Sequence, residues 1–84
     1  MEAPTSEVVD GIAVYLAQLN AAALPEPAER RGIRQRTRTS LRTMAALVGV
    51  TPMTVKRWED GVEPTTDHAI RYRRVLDALS QVGK

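Results

Sequence analysis

The sequence predicts an all-α protein of five helices, or six if the last helical segment is two abutting ones. Three observations carry this. Apolar residues recur three and four apart in segments separated by proline and glycine. No segment alternates with period two for long enough to read as a strand. The stretch Ser40 to Gly61 carries the start and stop signals of two short helices with only three or four residues between them.

In that central stretch, Ser40 is an N-cap whose hydroxyl accepts from a backbone N–H of the first turn, and Leu41, Met44, Ala45 and Val48 follow at helical spacing. Gly49 stands where a chain leaving a helix needs positive φ. Thr51 then caps a second helix with Pro52 at its first position, where the missing N–H costs nothing. Val55 and Trp58 face inward together with Val50, which leaves Pro52, Met53, Thr54, Lys56 and Arg57 on outward or flanking positions. Two such helices, with small Ala45 at their crossing and Gly49 in the turn, form a helix-turn-helix arrangement, whose second helix enters the major groove of DNA.

The rest of the chain is read around this pair. Met1 to Pro4 carries no periodic signal and reads as a frayed terminus. Thr5 or Ser6 caps a first helix with Glu7 and Asp10 near its positive end, and Val8, Ile12, Tyr15, Leu16, Leu19 and Ala23 mark one apolar stripe that ends before Pro25. Gly11 costs this helix ~1 kcal/mol relative to Ala, so it needs a surface to bury against. A stiff Leu24–Pro27 connector leads to a helix from Pro27 or Ala28 to about Thr37, packed through Ala28, Ile33 and the stems of Arg30 and Arg34. Gly61 is the expected C-cap of the second motif helix, Val62 to Pro64 a loop, and Thr65 or Thr66 the cap of a last helix striped by Ala69, Tyr72, Val75, Leu76, Leu79 and Val82.

At 84 residues there is room for one domain and little for an enzyme pocket. Without cysteine there is no disulfide framework or cysteine-rich zinc site, and a reducing compartment fits. Val8 to Leu24 is interrupted by Asp10, Gln18 and Asn20 and preceded by no basic run, so neither a membrane span nor a signal peptide is expected. Net charge is +2, but residues 25–84 hold all twelve basic residues against seven acidic ones, hence +5. Arg30, Arg31, Arg34, Arg36, Arg38 and Arg42 follow one another without an intervening carboxylate, either a footprint for a polyphosphate or a solvated cationic face. No phosphate-binding glycine loop, metal-spaced set or activated nucleophile is present, so no enzyme, cofactor or metal is expected.

From about Ala28 to Leu79 the sequence resembles the phage-repressor and Cro family of helix-turn-helix domains, the Xre family. The resemblance rests on Ile33-Arg34, Ser40, Met44-Ala45, Leu47, Gly49-Val50-Thr51, Val55, Trp58-Glu59, Gly61 and Pro64 in the family's order and spacing. It implies a lambda-repressor-like domain over 25–84 and leaves residues 1–24 outside it, an added helix whose own apolar stripe reads as a packing or dimerisation face. It also implies an ion pair between Arg34 and Glu59 that positions the recognition helix. The chain departs from the family at Arg38-Thr39, where a glycine is usual, and at Leu41, where a glutamine is usual.

These readings give a sequence-specific double-stranded DNA-binding regulator, a repressor binding an inverted repeat as a homodimer through residues 51–59, cytoplasmic and nucleoid-associated. Arg57 is the expected base reader, since its guanidinium can donate twice to guanine. Pro52 and Met53 either touch a thymine methyl or simply face solvent at the helix start. Arg38, Ser40, Arg42, Thr51, Thr54 and Lys56 are assigned to the phosphate backbone. Ala45, Gly49, Val55 and Trp58 are structural, Tyr15 and Tyr72 core or interface, and lone His68 a surface residue. The dimer surface is either the Val8–Leu19 face or the end of the last helix, unless the first helix caps the monomer's core instead. The alternative function is a protein-interaction subunit, antitoxin-like or scaffold, engaging a protein partner through the N-terminal helix with secondary DNA binding.

Overall fold

The computed structural model describes the backbone of residues 3–82 and the side chains of 11–82. Five helices follow one another: α1 (Ala3–Ala22), α2 (Pro27–Arg36), α3 (Leu41–Val48), α4 (Pro52–Glu59) and α5 (Thr66–Val82), with no strand among the described residues. The last segment is one helix. The chain is all-α.

Local chemistry sets the boundaries of the central pair. Ser40 Oγ accepts from the Thr43 N–H at 3.0 Å, and Thr51 Oγ1 accepts from the Thr54 N–H at 3.3 Å, each satisfying a donor that the first helical turn leaves open. Gly49 closes α3 in the left-handed region at φ 92°. At the end of α4 the cap is Asp60, in right-handed geometry, and Gly61 is the next residue, at φ 115°. The Gly61 and Val62 N–H groups donate back to the Trp58 and Arg57 carbonyls, the paired bonds of a Schellman ending. The glycine is therefore needed one residue beyond the cap, not at it.

The end of α2 has the same bonding. Arg38 N–H donates to the Gln35 carbonyl and Thr39 N–H to the Arg34 carbonyl, so Arg38 occupies the position that Gly61 fills after α4, at φ 54°. The glycine missing from the sequence is replaced by an arginine held in the backbone conformation that glycine favours.

The core is built from α2 to α5: Ile33, Met44, Ala45, Val48, Val55, Trp58, Tyr72 and Leu76 are buried, with Leu24, Leu41, Val50, Val75 and Leu79 packed against them. Trp58 and Tyr72 rings meet at 4.9 Å between centroids, which joins α4 to α5. Ala28 is exposed rather than packed, because five residues from Ile33 is not a same-face helical spacing. His68 is half-buried with its ring 5.9 Å from that of Trp58, so it is a packing residue more than a surface one.

The first helix departs most from expectation. It begins at Ala3, so neither Thr5 nor Ser6 is its cap, and Ala3 and Pro4 are helical rather than frayed; proline is well accommodated in a first turn. Met1 and Glu2 lie outside the described residues, as do the side chains of Glu7, Val8 and Asp10. Its end lies against α5, where Arg73 donates to the Asn20 carbonyl, and it does not cap the core: every residue from 11 to 20 is exposed. Tyr15 is thus not a core residue. The core is closed by α2 to α5 alone, and the stripe is left facing outward.

Candidate nucleic-acid interface

Helix α4 separates two kinds of side chain. Val55, Trp58 and Glu59 are buried, whereas Pro52, Met53, Lys56 and Arg57 are exposed and Thr54 is half-buried. An eight-residue helix has little intrinsic stability, so its direction is set by what holds its buried side and its ends.

Three arginines of α2 hold the C-terminal end. Arg34 reaches Glu59 through Nε at 2.5 Å and Nη2 at 3.0 Å, a fork on one carboxylate, and its Nη1 donates to the Thr39 carbonyl at 3.1 Å. Glu59 is almost wholly buried in this contact, and its hydrogen bond pushes the Arg34 guanidinium pKa up. Arg31 adds Nε to Glu59 Oε1 at 3.3 Å, Nη2 to the Glu59 carbonyl at 3.2 Å and Nη2 to Asp60 Oδ1 at 2.7 Å. Arg30, only 3% exposed, donates to the Pro25 carbonyl at 2.7 Å, the Trp58 carbonyl at 3.0 Å and both Glu63 oxygens at 3.0 Å. Cations and donors thus meet the negative end of the α4 dipole and its last open carbonyls.

This divides the arginine run. Arg30, Arg31 and Arg34 are committed to the protein's own carboxylates and carbonyls and are not available as a phosphate footprint. Arg36, Arg38 and Arg42 are exposed, and among the described residues their side chains make no hydrogen bond or ion pair. The stem of Arg30 packs as its sequence position suggests, but the carboxylates and carbonyls that Arg30 and Arg31 meet were not recognisable from composition. The one local hint is that Arg30 lies three residues before buried Ile33 and so shares its face.

On the open side of α4, the Arg57 side chain makes no hydrogen bond or ion pair among the described residues. Lys56 pairs with Asp60 at 3.2 Å, and this contact, more than the one from Arg31, pulls the Asp60 carboxyl below its ordinary pKa. The pair is exposed on both sides and easily exchanged for another anion. Met53 is 58% exposed beside Pro52 at the start of the helix. Thr51 and Thr54 share a hydroxyl contact at 2.9 Å, and Ser40 and Thr43 one at 3.0 Å, so these hydroxyls cap first and have only spare lone pairs and protons for a ligand. Ala45, Val55 and Trp58 are buried and Gly49 turns the chain.

Among the described residues no three metal-ligating side chains come together, and no helix is long and apolar enough to cross a membrane. Comparison with protein-family models, with curated proteins and with solved structures gave no match. The functional reading therefore stands on the residues and their geometry.

Proposed function

We propose that the protein is a sequence-specific double-stranded DNA-binding regulator of the Xre type, a repressor acting in the cytoplasm on the nucleoid. The observation that carries the reading is α4 itself. Its buried side and C-terminal end are fixed by core packing and three arginines, while its open side presents unpaired Arg57 with Lys56, Met53 and Pro52. A rigid helix with a free arginine suits the major groove, where a guanidinium matches the O6 and N7 edge of guanine. Exposed Arg36, Arg38 and Arg42 supply backbone neutralisation, with Ser40, Thr51 and Thr54 as weaker phosphate ligands.

One such helix reads only a few base pairs, so the regulator acts as a homodimer on an inverted repeat. Selection of bound duplexes from a random library at physiological salt, with the mass of the winning complex recorded, tests this. An enriched inverted repeat carrying two chains is the expected result. Absence of enrichment, with binding that only follows salt, overturns it and favours the interaction-subunit reading, which the outward apolar stripe of α1 supports.

A further inference from the structure

Helix α1 carries five large apolar side chains that the fold leaves outside: Ile12, Val14, Tyr15, Leu16 and Leu19 are each about half exposed. Its C-terminal end is nevertheless held. Asn20 and Ala21 face a groove formed with Ile70, Arg73, Arg74 and Asp77 of α5, and Arg73 bonds the Asn20 carbonyl. Four of the five, all but Val14, lie on the stripe, which is thus a surface on an element held at its C-terminal end.

The spacing of that stripe identifies its occupant. Within the described part of α1, Ile12, Tyr15, Leu16 and Leu19 are separated by three, one and three residues, a pattern that reads the same in both directions about a point between Tyr15 and Leu16. A two-fold interface requires that if one position meets a second, the second meets the first. Run antiparallel against itself, this helix sets Ile12 opposite Leu19 and Tyr15 opposite Leu16, and every apolar position finds an apolar one. The geometry points to a second copy of this chain as the partner, paired antiparallel through α1.

Charge favours the same occupant and the same direction. From Gly11 to Pro25 there is no ionisable side chain except the Tyr15 phenol, so a partner recognised by charge finds nothing to match, while a second copy brings an equally neutral face. The remainder of each chain, at +5, repels its copy; antiparallel pairing places these portions at opposite ends of a helix about 30 Å long, of the order of one DNA turn, whereas parallel pairing places them side by side. The end of α5 offers far less: Leu76 is buried, Leu79 is packed on the core, and Val82 alone is largely exposed.

In purpose this pairing rests on the dimeric regulator proposed above, but it is tested without DNA, so the two readings fail separately. Sedimentation equilibrium of the full chain should show a dimer. Leu16→Glu should raise its dissociation constant more than about tenfold with helix content unchanged, and Gln18→Glu, off the stripe, should leave it as it is. Because the chain has no cysteine, mild oxidation of an Ile12→Cys, Leu19→Cys double variant should give a covalent dimer that neither single variant gives. A chain that stays monomeric at all concentrations, a dimer indifferent to Leu16→Glu, or cross-linking by Ile12→Cys alone, the sign of parallel pairing, would each overturn the inference.

Discussion

The two halves of the arginine run behave as different materials. Arg30, Arg31 and Arg34 turn inward onto Glu59, Asp60, Glu63 and four backbone carbonyls, two of them in the last turn of α4. Arg36, Arg38 and Arg42 stand in solvent with no partner among the described residues. A run of one charge is thus not one feature. Its position on the helix decides whether each guanidinium orients α4 or faces an outside anion, and a count of positive charge doubles the number of arginines that are open to one.

The largest break in this division is expected at Glu59. Glu59→Gln leaves the Arg34 guanidinium, 14% exposed, without its counter-ion and should lower stability by about 3 kcal/mol in denaturant titration. Arg42→Gln removes an exposed partnerless charge and should leave the midpoint where it is. Next comes Arg57→Ala, which should cost about 1 to 3 kcal/mol at one base position per half-site and relax preference there. Arg42→Ala should instead weaken all sequences alike and lower the salt slope by about one. A uniform effect of Arg57→Ala across a randomised library would remove it from the base-reading set.

A sharper comparison sets Arg38 against Gly61, which share one Schellman bonding pattern. Arg38→Gly should gain about 1 kcal/mol by relieving a left-handed arginine and at the same time weaken DNA binding evenly. Stability and binding moving together would mean that the strain serves no contact. The smallest effect near neutral pH is expected beneath the inward arginines at Tyr72, whose hydroxyl is buried without a hydrogen-bond partner and whose pKa is pushed up by burial to about 12. Because the unfolded phenol ionises near pH 10, the native state holds its proton longer, and stability falls as pH rises from about 10 to about 12. Tyr72→Phe should flatten that fall and change stability little near neutrality.

The parts of the molecule legible in sequence are those decided within a few residues. Both helices of the motif appear at their expected bounds because Ser40, Gly49, Thr51 and Pro52 act on backbone groups of the adjoining turn. The Arg34 contact with Glu59 was implied only by the Xre resemblance, since two residues 25 apart carry no local signal of meeting. Arg30 was harder still. Two of its partners are the carbonyls of Pro25 and Trp58, which no side chain announces, and the third, Glu63, reads as an ordinary loop residue. The stripe on α1 was visible, but amphipathicity states that a face is apolar and not what lies against it. Met53 and Pro52 remain exposed at the head of α4, so the structure leaves them free to touch a base or to face water.

The Arg30 side chain has a consequence for how the molecule opens. One guanidinium joins the connector after α1, the last turn of α4 and the loop before α5. Breaking any of these contacts strands a nearly buried cation, so the three segments are energetically one unit. In hydrogen exchange the amides of the last α4 turn and of its Schellman ending should exchange together with those of α2, at close to the free energy of global unfolding. In a chain kept monomeric by Leu16→Glu, residues 11–20 of α1, whose bonds then lie in water, should exchange through much smaller openings. Helix α4 would then not fray at its end while the domain is folded, and its direction would be inherited from α2 rather than found anew on each encounter with the DNA proposed as its ligand.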